Sequence, residues 1–561
     1  MSLRYITTPI YYVNDKPHIG HCYTSLVADC LARFERLRRG AEGVFMLTGT
    51  DEHADKVVTS AQEHATTPQE WANRNAAAFK EAFAFMGIAF DDFIRTTEPR
   101  HKGKVPGYIK RLMDSGDIYR GEFTGWYDPG EEAYVTETEA RDHEYKSRVS
   151  GRPLVKRTEP CYFFRLSRYQ ERLHALIQGT PGFVRPDARR QEVLGRLRPP
   201  AVLNDVPVSR PVTDDPATQW GVRIPGDDAN RVYVWIDALF NYLSVVDTPE
   251  RRRWWPAAVH LIGKDILWFH AVIWPALLMA LGEPLPGTIF GHGWWISEGQ
   301  KMSKSLGNFI DLDRLREYAE RFGLDGLRWY LLTQGPLTGA DADFSRAKFI
   351  EVYNADLANG IGNCASRVGN MVDKYFGGEL PDPKGVFTWI EAPVSGNPDA
   401  NQSKTAMGVP NNSAVLRASQ CLVITPWVDE VRANVQKAAE ALDNFDVGTA
   451  LQQGIEIVRK VDGFINLTQP FKLAKTIAQN PAAKDELGAI LYCCAEAIRI
   501  GGILLSPALT GRMPVLWGAW HCAPPEGAAF TELCTFGGPH ALRPGQKITK
   551  GDILYMRAEG V

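Results

Sequence analysis

Two short stretches of this sequence carry side chains suited to chemistry on phosphate. The first, "YVNDKPHIGH" (12–21), sets His18 and His21 around an Ile-Gly pair. Paired imidazoles can ligate a metal or donate hydrogen bonds to anionic oxygen, and a zinc site lacks a third ligand nearby. The second, "GQKMSKSLGN" (299–308), places Lys301 and Lys304 with two serines between flanking glycines. A basic loop of that make-up can swing ammonium groups onto a triphosphate and offset the charge that develops as phosphate departs. It could equally be a solvated loop.

The elements around the histidines favour phosphate. "LRYITTPIYYV" (3–13) is rich in β-branched and aromatic residues and reads as a buried strand. Val27, Cys30, Leu31, Phe34 and Leu37 then recur at helical spacing until Gly40 stops the helix. "GVFMLTGTDEH" (43–53) is a second strand. Strand, helix, strand opens a parallel α/β sheet, in which ligands sit at the carboxyl ends of the strands. His18 and His21 therefore stand at a helix start, where unpaired N–H groups and the helix dipole attract anionic oxygen. Gly20 lets the chain approach a nucleotide without a side chain in the way.

The texture changes along the chain. From about 117 to 230 short Gly- and charge-rich segments replace the α/β pattern and read as an inserted domain. The pattern returns at "RVYVWIDALFNYLS" (231–244) and "AVHLIGKDILWFHAVIWPALL" (258–278). After 350, Leu357, Ile361, Cys364, Val368 and Val372 mark one face of a helix closed by Gly377 and Gly378. The stretch 379–413 is Pro-, Asn- and Ser-rich and reads as a long mobile connection. The Gly/Pro-rich end, 511–561, is expected to pack back on the body.

At 561 residues the chain is long enough for two to four domains, and 44% apolar with 23% charged residues is the composition of a soluble globular enzyme. A net charge of −3 gives no global sign of nucleic-acid binding, although "VRPDARR" (184–190) and "RRRWW" (251–255) are candidates for phosphate contact. Nine cysteines without regular spacing, and no C-x-x-C, fit reduced thiols in a cytosol. The N-terminus has neither secretion nor transit character, and the longest apolar run, "AVIWPALLMAL" (271–281), is too short to span a bilayer. A cytoplasmic protein off the membrane is the expectation.

A histidine signature followed roughly 280 residues later by "KMSKS" resembles the paired signatures of class I aminoacyl-tRNA synthetases. Within that class the chain resembles the methionyl-tRNA synthetase family over nearly its whole length, through "TTPIYYVNDKPHIGH", "LTGTDEH", "YFFRLSRYQERL", "VYVWIDALFNY", "LIGKDILWFHAVIWPALL" and "HGWW". The resemblance implies an α/β fold: a Rossmann-like parallel-sheet catalytic domain (1–116 and 231–298) split by an inserted connective domain (117–230). A lysine-loop and stem-contact region (299–349), an α-helical anticodon-binding bundle (350–510) and the tail (511–561) would follow.

It also implies ATP-dependent ligation of L-methionine to initiator and elongator tRNA through methionyl-adenylate. By resemblance Ile10, Tyr12, Trp235, Ala238, Tyr242 and His270 line a methionine pocket, with Phe269 and Trp274 close behind, and Asp51 holds the substrate ammonium. Taken alone, Trp235, Phe269 and Trp274 would read as ordinary core. His18, His21, Lys301 and Lys304 would act on the phosphates with Mg²⁺. Gly20, Gly263, Asp265, His292, Trp294 and Lys304 would bind ATP. Asn363, Arg367 and Phe471 would read a CAU anticodon, Phe471 standing where relatives often carry a tryptophan. Many relatives build zinc knuckles from cysteines in the insertion, whereas here it holds only Cys161, so the expectation is the branch without structural zinc, and a monomer. The competing readings are a class I synthetase for another amino acid and a non-catalytic tRNA-binding paralogue.

Overall fold

The computed structural model describes residues 3–13, 16–128, 133–135, 137–147, 151–300, 302, 308–383 and 412–559. Most of the stretch read as a long connection, 379–413, therefore lies outside the described residues. Six parallel strands, β1 (Arg4–Tyr12), β2 (Val44–Asp51), β3 (Asp92–Arg95), β4 (Val184–Arg185), β5 (Val259–Gly263) and β6 (Thr288–His292), form a sheet in the order β3-β2-β1-β5-β6-β4. The direction of winding reverses between β1 and β5, which makes their carboxyl ends a natural ligand crevice.

A proline opens that crevice. β1 pairs with β5 only at Ile6–Val259 and Thr7–His260, and its ladder with β2 breaks between Thr7 and Ile10. Pro9 sits in the break; lacking an N–H, it cannot carry a central ladder forward. Beyond it β1 and β5 part.

Helix α1 (Ile19–Arg39) follows β1, burying Cys22, Leu26, Val27 and Cys30. Arg36, Arg38 and Arg39 in its last turn suit the negative end of the dipole. Between β3 and β5 lies a four-stranded antiparallel sheet built on Ile118–Asp128 and Val155–Phe164, with a three-stranded sheet of Ser209–Pro211, Arg223–Ile224 and Asp227–Val232. The stretch read as an insertion also supplies β4, which pairs with β6 at the edge of the main sheet.

After the three-stranded sheet come α2 (Val234–Leu239) and, behind a π-helical turn at Phe269–Ile273, α3 (Trp274–Leu281). The remainder is helical: α4 (Leu312–Gln334), α5 (Asn363–Phe376), α6 (Asn412–Asp443), α7 (Val447–Thr468) and α8 (Ala483–Leu505). α8 is long and apolar enough to cross a membrane, although Glu496 and Arg499 interrupt its apolar sequence. In the fold these two form a buried bidentate ion pair at 2.7 and 2.8 Å, and the most apolar part of α8 is wholly buried as a core helix.

One guanidinium joins the sheet to the helices. Arg328 of α4, fully buried, donates to Asp29 of α1 at 2.7 Å and to the carbonyls of Met86, Gly87, Pro507 and Ala508. All five of its N–H groups are used. Near the end of the chain, Tyr555 donates to Asp325, also on α4, at 3.0 Å.

Candidate active site

A cavity of about 640 Å³ lies at the carboxyl ends of β1, β5 and β6. His18, Gly20 and His21 form one wall; Ile10, Tyr12, Asp51, Trp235, Ala238, Tyr242 and His270 form its inner end; Gly263, Asp265, His292 and Trp294 close the third side. Sequence elements more than two hundred residues apart thus share one space.

The histidines are held by the helix they begin. His18 caps α1, its Nδ1 accepting the Gly20 N–H at 3.1 Å, while Nδ1 of His21 accepts the His18 N–H at 3.3 Å. Two imidazoles here do the reciprocal work usually done by Ser or Thr with Glu. Because both accept at Nδ1, each neutral ring carries its proton on Nε2. The ring centroids are 3.9 Å apart. Burial, and then the neighbouring His18, hold the pKa of His21 well below that of a free histidine, so it is a neutral hydrogen-bond donor at physiological pH. A Cβ on Gly20 would lie 3.0 Å from Cε1 of His18, so the space this glycine leaves is taken first by the imidazole.

Lys301 and Lys304 lie outside the described residues. The chain on either side of them is held in place, and the part that follows lies beside the histidines. Ser297 and Gln300 exchange backbone hydrogen bonds of 2.8 and 3.0 Å, and the Asn308 amide donates to the Ser297 carbonyl at 3.5 Å. Ile19 N–H donates to the Ile310 carbonyl at 3.2 Å, Asp311 bridges to His18, and the Phe309 ring packs edge-on against His18 at 5.2 Å.

On the third side, the Trp294 indole donates to Asp265 at 3.0 Å. A Cβ on Gly263 would come within 2.5 Å of that Asp265 carboxylate, so a side chain there would push the carboxylate out of this position. His292 bonds Thr24 at 2.8 Å, tying β6 to α1. Thr24 also lines the cavity and was missed in the sequence, although its position four residues after Gly20 puts it on the same helix face.

The inner end is aromatic. Trp235 stacks on Phe269 with centroids 4.3 Å apart, and Tyr12 meets Trp235 edge-on at 5.7 Å. His270, set in the π-helical turn, bonds the Ile266 carbonyl through Nδ1 at 3.0 Å, leaving Nε2 to accept the Tyr242 hydroxyl at 2.8 Å. Burial pushes the pKa of His270 down to about 4, so the imidazole stays neutral. Trp274 stands one layer back and donates to His260. Asn241, another residue missed in the sequence, lines the cavity with a buried Oδ1 that has no partner among the described residues.

Asp51 ends β2 at the cavity wall, almost fully buried. Burial, and then the charge of Asp237, raise its pKa well above the ordinary carboxylate value. A carboxylate so placed gains most from an incoming cation.

Away from the cavity, Asn363 is exposed on α5, and Arg367 one turn on forms an ion pair with Asp462 of α7. Phe471, just beyond α7, is 41% exposed. The "RRRWW" arginines are engaged: Arg251 pairs with Asp92, Arg252 with Asp247 and Glu283, and Arg253 covers Trp254. Among the described residues no group of three or more His, Cys, Asp or Glu side chains could hold a metal ion.

Comparison with known proteins agrees with this geometry. The family model described as tRNA synthetases class I (M) matches residues 4–143 and 138–369. A methionine–tRNA ligase of Streptomyces coelicolor is 39% identical over 571 aligned residues, covering 99% of this chain and 96% of that protein. One from Caldanaerobacter subterraneus is 38% identical over 560 residues, covering 99% and 79%. Among solved structures, Mycobacterium tuberculosis methionyl-tRNA synthetase in complex with methionyl-adenylate superposes with a TM-score of 0.80 at 30% identity, covering 99% of this chain and 100% of that one.

Proposed function

The chain belongs to the class I methionyl-tRNA synthetases, and from that membership we propose that it ligates L-methionine to tRNA at the expense of ATP, through a methionyl-adenylate intermediate. The observation that carries this reading is the shared cavity, in which an aromatic, carboxylate-bearing inner end opens directly onto the paired histidines.

Each region then has a task. Trp235, Phe269, Tyr12, Ala238 and Ile10 offer the apolar, ring-edged surface that suits a flexible thioether, with the Tyr242–His270 pair as its polar limit. Asp51 takes the ammonium group. The methionine carboxylate is the nucleophile, so no side chain of the enzyme attacks. It adds to the α-phosphorus of ATP, and the bond to the leaving pyrophosphate breaks. What the protein supplies is position and charge. Nε2–H of His18 and His21 donates to phosphate oxygen from the helix side, and Lys301 and Lys304 close on the departing pyrophosphate. Gly263, Asp265, His292 and Trp294 hold the adenosine. Mg²⁺ travels with the triphosphate, whose oxygens supply its ligands. A ribose hydroxyl of the tRNA's terminal adenosine then attacks the methionyl carbonyl of the adenylate, the acyl–phosphate bond breaks and AMP leaves; the CAU anticodon of that tRNA is read by Asn363, Arg367 and Phe471. We read the enzyme as a cytoplasmic monomer.

The test is amino-acid-dependent exchange of pyrophosphate into ATP. Exchange with methionine supports the proposal, exchange with another amino acid favours a different class I synthetase, and none with any amino acid favours a non-catalytic tRNA-binding protein.

A further inference from the structure

Behind the cavity wall lies a buried charge cluster to which the reaction assigns no role. Asp237 of α2 accepts from His53 Nδ1 at 2.6 Å and from His101 Nε2 at 3.1 Å, and His101 Nδ1 meets the Ser244 hydroxyl at 2.9 Å. An ionised carboxylate only accepts, so both imidazoles donate to it. Asp237 does not line the cavity.

We propose that Asp237 is a positioning residue for methionine: it fixes the loop that carries Asp51 and keeps a second negative charge behind it, so that the substrate ammonium is the cation this site lacks. The proposal rests on the reading of Asp51 as the ammonium acceptor.

Three observations carry it. His53 touches both carboxylates, its ring donating to Asp237 and its N–H to Asp51 at 3.4 Å, so fixing the ring fixes the loop. The loop's other acid beside Asp51, Glu52, is already neutralised by a two-pronged Arg95 at 2.7 and 2.9 Å, with Thr50 and Thr97 hydroxyls filling its remaining sites. The loop is also pinned from the inserted domain, where the Trp220 indole donates to the Glu52 carbonyl at 2.6 Å. Among the described residues Asp51 forms no ion pair, while the side-chain hydrogen-bond partners of Asp237 are the His53 and His101 imidazoles. Two buried carboxylates close together favour either a proton or a cation between them. The groups that face Asp51 are Tyr12 from β1, Glu52 and His53 from its own loop and Asp237 from α2, with Arg95 and His101 one layer behind. Burial is the larger cause of the raised pKa of Asp51, and Asp237 is the next. Burial alone would raise Asp237 too, but His101 and His53 more than offset it and hold that carboxyl below the usual range.

The test is Asp237→Asn, which keeps the shape and removes the charge, with methionine affinity measured from about pH 5.5 to about pH 8.5, a range that spans the titration of a raised carboxyl and of the histidines. The expected result is an affinity lower by roughly tenfold to a hundredfold at the alkaline end, an acid limb moved to lower pH, and turnover at saturating methionine within about threefold of wild type. Unchanged affinity and an unmoved acid limb would overturn the proposal, as would equal losses for methionine and ATP. Asp51→Asn is the separate control: normal methionine binding there sinks the reading of Asp51 itself. If Asp237→Asn does not fold, calorimetry of wild-type protein in two buffers of different ionisation enthalpy decides. Proton release on methionine binding that grows toward acid pH supports the proposal, and none at any pH overturns it.

Discussion

The backbone N–H of Ile19 donates to the carbonyl of Ile310 at 3.2 Å, joining the first turn of α1 to the chain that follows the lysine loop. The two signatures are distant in sequence, yet this bond puts one edge of the cavity under the control of both. With His18 bridged to Asp311 and faced by Phe309, the histidine wall and the root of the lysine loop form one rigid corner.

The neutral Nε2–H donor of His21 in that corner is expected to act in the transition state more than in substrate binding. His21→Asn should lower the rate of adenylate formation about a hundredfold to a thousandfold, with methionine affinity within twofold of wild type. Quenched-flow measurement of adenylate formation, together with equilibrium binding, checks this. An equal loss in binding and rate would place His21 in ground-state recognition instead.

Arg328 leads to a stability prediction. Arg328→Met keeps much of the volume but leaves the Asp29 carboxylate, and carbonyls of residues 86, 87, 507 and 508, without this donor. Breaking one partner of such a buried pair costs about 3–5 kcal/mol. Urea unfolding followed by tryptophan fluorescence should show the loss, and a change below about 1 kcal/mol would mean that the arginine is dispensable.

His270 makes the fold acid-sensitive. Its folded pKa is about 4, against an ordinary 6.5, so between these values the unfolded chain binds more protons than the folded one. Stability from this group is fully present above pH 6.5, is lost as pH falls toward 4, and changes little below that. The total is about 3 kcal/mol for a shift of this size. His21, His260 and His292 are lowered in the same direction and steepen the slope. Urea midpoints at a series of pH values test this, and His270→Gln should flatten the slope.

Much of the site was readable because its residues are contiguous in short, chemically odd motifs. His18 and His21 announced themselves by type and spacing, and β1 and α1 by periodicity. The residues proposed for the methionine pocket were not readable from physics alone: Trp235, Phe269 and Trp274 sit in apolar runs that any core would use, and the family resemblance singled them out. Even then the structure separates them, with Trp235 and Phe269 at the cavity and Trp274 behind it. Asp237, His53 and His101 escaped notice because their relationship is purely tertiary, built across three elements. α8 escaped for the opposite reason, since the charges that break its apolar run cancel only when helical spacing brings Glu496 and Arg499 together.

The most direct measurement is single-turnover adenylate formation by Lys304→Ala at saturating methionine and ATP. If the lysine loop closes over the same phosphates that His18 and His21 hold, the rate falls about a hundredfold while methionine affinity stays within twofold of wild type. An unchanged rate in the folded variant would contradict the convergence of the two signatures on one triphosphate.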